Sequence, residues 1–341
     1  MKGGSWFALL LASTISSCGG VPHDKPPTPK ETGAVHDRAA RVRFGGTFLA
    51  MPDGVAVWYK VAGPERAPTV VFLHGGPGYN SFAFERSAGK DLESRFRMVY
   101  VDQRGCGRSG FDGANSNYGM QKTVDDIDRI REAVGASKIV LIGHSFGGVV
   151  AAEYAHRFPA RTSAVVMVDT MPDIGAAIRQ QLRYADSIAD AEFPDRAKAV
   201  HGIVRSEGEP FEKIANLYRT IGRVPLQRKM HFNSGEAQSR MEAIDERSQL
   251  LGLTSAKVVK AYVDTGYVNG SPAGVSDPLG VPSILIAGRA SHVIGEENIR
   301  DAARAWHADV VWLDAGHFVY FEAQHDFVDT VTRFLDDRVR P

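Results

Sequence analysis

The pentapeptide Gly143-His144-Ser145-Phe146-Gly147 sets one serine between an apolar run, residues 138–142, and a helix-forming stretch that begins at Gly148. A serine on so tight a strand-to-helix turn is forced into a strained backbone conformation, and the flanking glycines let strand and helix pack close by. Its hydroxyl then points outward. The N–H groups and positive dipole end of the following helix favour the negative charge that develops when the serine attacks a carbonyl. Ser145 is therefore the candidate nucleophile. A serine hydroxyl is weak without a base to take its proton, so a histidine and a group to orient it are required elsewhere in the chain.

The elements that must position Ser145 are legible in the hydrophobic pattern. Residues 44–51 and 55–62 flank Pro52-Asp53-Gly54 and predict a hairpin. Residues 69–73, 97–101, 139–142 and 164–168 are continuous apolar runs, as expected of strands buried on both faces. Between them lie amphipathic stretches such as residues 124–134, closed by Gly135. Strand, helix, strand, repeated, predicts an α/β fold with a mostly parallel sheet flanked by helices. The rhythm breaks over residues 172–278, which are charged and helical in character and predict an inserted helical cap. It resumes with a strand at 282–287, a helix at 296–306, a strand at 310–313 and a closing helix from about 324 to 338. The expected division is a core over 43–171 and 279–341 with the cap at 172–278.

Composition narrows the function classes. Forty basic residues balance forty acidic ones, so no global field argues for nucleic acid, and a small-molecule or short-peptide substrate fits better. Met1 to Ser17 carry one lysine, a short apolar segment and small residues, and resemble a bacterial secretory signal. The apolar segment falls short of the roughly 20 residues that span a bilayer. Ile15-Ser16-Ser17-Cys18 resembles a lipobox, which implies cleavage before Cys18 and a lipid anchor on its sulfur. Residues 18–42, rich in Gly, Pro and charge, read as a lipidated tether. The expectation is a protein of the bacterial cell envelope, held to a membrane and facing the periplasm or exterior. With Cys18 lipidated, the other cysteine, Cys106, has no disulfide partner.

From residue 44 onward the chain resembles an α/β-hydrolase. His74-Gly75-Gly76-Pro77-Gly78 and Asp102-Gln103-Arg104-Gly105-Cys106-Gly107-Arg108-Ser109 resemble motifs of the proline iminopeptidase branch. The resemblance implies an oxyanion hole made by the backbone N–H groups of Gly76 and Phe146. It assigns Asp102 and Arg104 to organising the loops under the pocket. It places the base at His317, in Asp314-Ala315-Gly316-His317-Phe318 directly after the last strand. The family usually writes Gly-Arg-x-Asp after the seventh strand, whereas this chain has Gly288-Arg289-Ala290-Ser291-His292, so Ser291 stands where the acid is expected. Certain haloalkane dehalogenases of this fold carry the acid after the sixth strand instead. Here that place is Asp169, 24 residues after Ser145. Asp169 is the favoured third member, over Asp314, a cap acid such as Asp173, or no acid at all.

The resemblance implies no metal and no organic cofactor. It also implies that the cap selects the substrate. Iminopeptidases bind a free amino terminus with cap carboxylates beside tryptophan-containing motifs, but Trp6, Trp58, Trp306 and Trp312 all lie outside 172–278. Glu207, Glu209, Glu212, Glu242 and Glu246 are cap acids able to meet an amine, and Phe211, Tyr218, Phe232, Tyr262 and Tyr267 are candidate apolar lining. The expected activity is cleavage of a small ester or amide through an acyl-enzyme, iminopeptidase-like or carboxylesterase-like, with lactonase activity or a non-catalytic binding lipoprotein as alternatives.

Overall fold

The computed structural model describes residues 45–109, 118–250, 253–254, 256–269 and 274–339. The expected signal segment, Cys18 and the tether lie outside them. Eight strands form one sheet in the order β1-β2-β4-β3-β5-β6-β7-β8. β1 (Thr47–Ala50) and β2 (Ala56–Ala62) make the expected hairpin and join the sheet antiparallel. β3 (Thr69–Leu73), β4 (Arg97–Val101), β5 (Ile139–His144), β6 (Thr162–Val168), β7 (Ser283–Gly288) and β8 (Asp309–Leu313) run parallel.

The continuous apolar runs are explained by burial on both faces. In β3, Val71 and Leu73 enter one hydrophobic cluster while Val70 and Phe72 enter the other, and β5 and β6 alternate in the same way. Each face is then covered by helices, which is the arrangement a parallel sheet requires. The core helices are α1 (Phe82–Glu85), α2 (Ala88–Leu92), α3 (Met120–Ala133), α4 (Phe146–Arg157), α11 (Glu296–Trp306), α12 (Val319–Glu322) and α13 (Gln324–Arg338). α3 starts four residues before the amphipathic pattern, and α4 starts at Phe146 rather than Gly148. The chain thus turns into helix immediately after Ser145.

Between β6 and β7 the described residues contain no strand. They form α5 (Ile174–Glu192), α6 (Ala197–Arg205), α7 (Pro210–Ile221), α8 (Arg223–His231), α9 (Gly235–Ser248) and α10 (Ala256–Asp264), a helical insertion. Asp173 caps α5 by accepting the Ala176 N–H at 2.8 Å. Parallel β3, β5, β6, β7 and β8 point their carboxyl ends the same way, so the loops after them gather along one edge of the sheet. Ligands of open α/β sheets bind at such edges.

Candidate active site

Ser145 follows β5 with φ 52° and ψ −124°. Two hydrogen bonds hold that strained backbone: its N–H donates to the Val168 carbonyl at 2.9 Å, and the Thr170 hydroxyl donates to the Ser145 carbonyl at 2.6 Å. The glycines of the pentapeptide are sterically required. A Cβ on Gly143 would lie 2.4 Å from the Gly147 carbonyl oxygen, and one on Gly147 would lie 2.1 Å from the Leu73 carbonyl oxygen. Among the described residues, four non-glycine residues have positive φ: Ser145, Asp169, Gln249 and His307. Gln249 and His307 are helix C-caps, where such angles are ordinary. Ser145 and Asp169 stand instead directly after strands, where such angles are not. Strain of this kind is worth about 1–3 kcal/mol and persists only where the surroundings over-determine it.

Asp169 leaves β6 with its N–H donated to the Ile286 carbonyl at 2.9 Å, and its side chain is wholly buried. Three donors converge on the carboxylate. Gly288 N–H reaches Oδ1 at 3.1 Å, Ser291 Oγ reaches Oδ2 at 2.6 Å, and His317 Nδ1 reaches Oδ2 at 2.5 Å. Ser291, at the family's usual acid position, therefore orients the carboxylate that stands on the neighbouring strand. The other two carboxylates are elsewhere: Asp314 is exposed and Asp173 caps α5.

Burial dominates the electrostatics of this pair. It pushes the Asp169 carboxyl up to about 7 against the Ser291 and Gly288 hydrogen bonds, and it pushes the His317 imidazole down to about 3. Both shifts work against charge. Treated as one unit, the pair takes up a first proton near 7 and a second near 3. Above the first value it holds a neutral imidazole with Nδ1–H on a carboxylate, which leaves Nε2 free as a base.

Two histidines with no assigned role from sequence pack against His317. His144 lies 4.6 Å away between ring centroids, and His231, from the end of α8, lies 5.4 Å away. Burial, reinforced by His317, pushes His144 down to about 3 and His231 well below the usual histidine value. The His317 N–H donates to the His231 carbonyl at 2.7 Å, so the insertion holds the histidine loop through its backbone. Glu322 spans the same junction, accepting the Gly316 N–H at 3.1 Å and the Asn233 N–H at 2.8 Å.

The loop after β3 carries Gly76, and Phe146 is the first residue of α4, whose leading N–H groups have no intrahelical acceptor. Phe146 packs on Tyr262 of α10 at 4.7 Å. Phe318 stacks on Phe232 at 5.1 Å and approaches Tyr79 at 6.3 Å, giving the site aromatic neighbours. The Tyr79 hydroxyl donates to Asp245 of α9 at 2.6 Å, and the Thr254 hydroxyl donates to the Gly78 carbonyl. The insertion thus grips the loop after β3 as well. The five cap glutamates named from sequence are all exposed, whereas Asp245 is buried and burial raises it to about 6. No pattern in the sequence distinguishes Asp245 from its solvated neighbours, because its burial comes from Tyr79, 166 residues away.

The segment after β4 does structural work. Asp102 accepts from Arg108, Ser81 and their backbone N–H groups, while Arg104 bridges Asp126 and Asp53. Cys106 is buried, and burial pushes its thiol up, away from reactivity.

An elbow serine, an Asp–His pair on adjacent loops and a helical insertion after β6 describe the α/β-hydrolase architecture. Residues 68–324 match the α/β-hydrolase fold family, and the chain belongs to it. It is 35% identical over 131 residues to a proline iminopeptidase from Neisseria gonorrhoeae, a stretch covering 36% of this chain and 39% of that protein. It is 34% identical over 130 residues to a bifunctional esterase/perhydrolase from Acinetobacter calcoaceticus, covering 37% and 45%. These alignments span less than half the length of either relative. A solved proline iminopeptidase-related protein from Thermus thermophilus superimposes with a TM-score of 0.72 over 86% of this chain and 98% of that one, at 22% identity, a likeness of fold.

Proposed function

We propose that this protein is a serine hydrolase that cleaves an ester or amide bond of a small substrate through an acyl-enzyme. The observation that carries the reading is the 2.5 Å contact between His317 Nδ1 and a buried Asp169, beside a serine held at φ 52°. Ser145 Oγ attacks the carbonyl as His317 Nε2 takes its proton. Asp169 keeps the proton on Nδ1 and balances the imidazolium that forms. The N–H groups of Gly76 and Phe146 receive the oxyanion, each worth about 3 kcal/mol in the transition state. His317 then returns the proton to the leaving group, and water repeats the sequence on the acyl-enzyme. Serine as nucleophile disfavours the dehalogenase and epoxide hydrolase routes, which use an aspartate.

A fluorophosphonate probe tests this directly. It should label the wild type and not Ser145→Ala; an unlabelled wild type would favour the non-catalytic binding reading. Within the hydrolases, the five cap glutamates are exposed and Asp245 is buried against Tyr79, so the choice of substrate is left to direct assay. A panel of aminoacyl amides, acyl esters and lactones separates the three activities. From residues 1–18 alone we also propose a lipid anchor on Cys18 in the bacterial envelope. Cys18→Ser should abolish incorporation of labelled palmitate and release the protein from membranes.

A further inference from the structure

We propose that His144, the residue before the nucleophile, is a positioning residue that ties the elbow to the histidine loop and so fixes the Ser145–His317 alignment. The proposal rests on the hydrolase reading above. His144 Nε2 lies 3.0 Å from the His317 carbonyl oxygen. A carbonyl only accepts, so Nε2 carries the proton and Nδ1 is the bare nitrogen of a neutral ring. Nδ1 is buried without a hydrogen-bond partner, and a Cβ on Gly75 would sit 3.2 Å from it. The ring is therefore set by packing on one side and by a single donated hydrogen bond on the other.

The groups that face it explain why it stays in this state. His317, Phe318 and Tyr320 surround the ring at centroid distances of 4.6, 5.2 and 5.1 Å, and the whole residue is 2% exposed. A positive charge there would be desolvated and would face a second imidazole. His144 is thus a fixed donor across the working pH range and not a second base.

The consequence is a clamp on one peptide unit after another. The His317 N–H is held by the His231 carbonyl of the insertion, its side chain by Asp169, and its carbonyl by the residue adjacent to Ser145. Only the last of these joins the base to the element that carries the nucleophile. Near-attack geometry is sensitive to misplacement, with about 1 Å costing on the order of a hundredfold in rate. His144 is buried and meets the histidine loop through its backbone carbonyl, so its loss should act on the chemical step and leave substrate affinity alone.

The test compares His144→Phe, which keeps an aromatic ring and removes the donor, with His144→Gln, which restores an N–H near the same place. Hydrolysis of p-nitrophenyl butyrate and the rate of Ser145 labelling by a fluorophosphonate are measured for each, with thermal unfolding as the check on folding. His144→Phe should lower kcat about tenfold to a hundredfold with KM within about twofold, and His144→Gln should recover most of the loss. A purely structural role would lower the unfolding temperature of both variants without separating kcat from KM. Should His144→Phe fail to fold, His144→Leu carries the same comparison without the ring. A wild type that is labelled, alongside a donor-less variant labelled equally fast, overturns this proposal and leaves the hydrolase reading intact. An unlabelled wild type overturns the hydrolase reading first.

Discussion

Two aspartates follow strands at the carboxyl edge of this sheet, and both are 0% exposed: Asp102 after β4 and Asp169 after β6. Burial alone raises a carboxyl, and both feel that push. At Asp102 it is overridden by Arg108, which donates Nε to Oδ2 at 2.8 Å and Nη2 to Oδ1 at 3.0 Å, so the carboxyl is held at about 2. Arg108 is itself fixed by Glu85 at 3.0 Å and lies 3.4 Å over the Trp58 ring. Every partner at Asp169 is neutral, and the carboxyl is raised to about 7. The fixed cation makes the first aspartate a permanent ion whose role is to lock loops. Its absence leaves the second carboxylate without a fixed countercharge, so it can balance an imidazolium formed beside it.

Asparagine at each position should separate the two roles, and this is the largest contrast expected. Asp169→Asn leaves shape intact but turns an N–H toward His317 and selects the wrong tautomer, so kcat should fall by about 10³–10⁴-fold with little change in stability at neutral pH. Asp102→Asn removes one carboxylate from a buried guanidinium that Glu85 still holds, and should destabilise the fold by about 3 kcal/mol in chemical denaturation. If Asp169→Asn keeps activity within about tenfold of wild type, Asp169 is not the orienting acid and the contrast collapses.

Ser291 sharpens the comparison at the next level down. It is one of three donors to Asp169, and a hydrogen bond to a charged group is worth about 1.5–3 kcal/mol. Ser291→Ala should therefore lower kcat/KM about tenfold or somewhat more near neutral pH. Its direction in pH is also fixed. The Ser291 bond lowers the Asp169 carboxyl, so removing it raises the pair's first protonation above about 7. Activity requires the unprotonated pair, and the acid limb of the kcat/KM profile should move to higher pH. Restoring a carboxylate in Asp169→Asn/Ser291→Asp should recover part of the lost activity, since the Ser291 oxygen already lies 2.6 Å from the Asp169 oxygen that holds the histidine. No recovery would mean that the seventh-strand position cannot serve the imidazole in this chain.

How much of this was legible beforehand follows from the range of the forces involved. The parallel sheet, the hairpin and the elbow are written in local periodicity and in glycines that no other residue can replace, and each lies where the pattern put it. The joining of Asp169 to His317 spans 148 residues, so residue type and position beside a strand end were all the sequence offered. Ser291 was visible as the residue at the family's acid position, but its hydrogen bond to Asp169 was not, and the contacts of His144 and His231 had no signal. Each acts through a hydrogen bond or ring contact made only when distant loops close over one another, and His144 carries its effect to a backbone carbonyl 173 residues on. The Asp102 motif is readable as a unit because its main partner, Arg108, is six residues away.

The last contrast concerns how stability varies with pH, where Asp102 should impose a slope and the Asp169–His317 pair should not. Asp102 has a folded value of about 2, below its ordinary 3.8, so its contribution is present above about 4 and is lost as pH falls through 2. The Asp169–His317 pair behaves differently because its two shifts oppose one another. Between about 4 and 6.5 the unfolded pair holds one proton, on the histidine, and the folded pair also holds one, shared between carboxyl and imidazole. Equal proton counts give no slope. Asp169→Asn removes the carboxyl and leaves an imidazole that burial still lowers, with no partner to hold the proton instead. The unfolded chain then binds one more proton than the folded one, and stability should fall with decreasing pH by up to about 1.4 kcal/mol per unit across that window. Urea titrations of wild type and Asp169→Asn at several pH values give the difference directly, with contributions from all other groups cancelling. A flat difference between the two would mean that the wild-type pair does not share a proton, and that Asp169, like Asp102, is simply a buried ion.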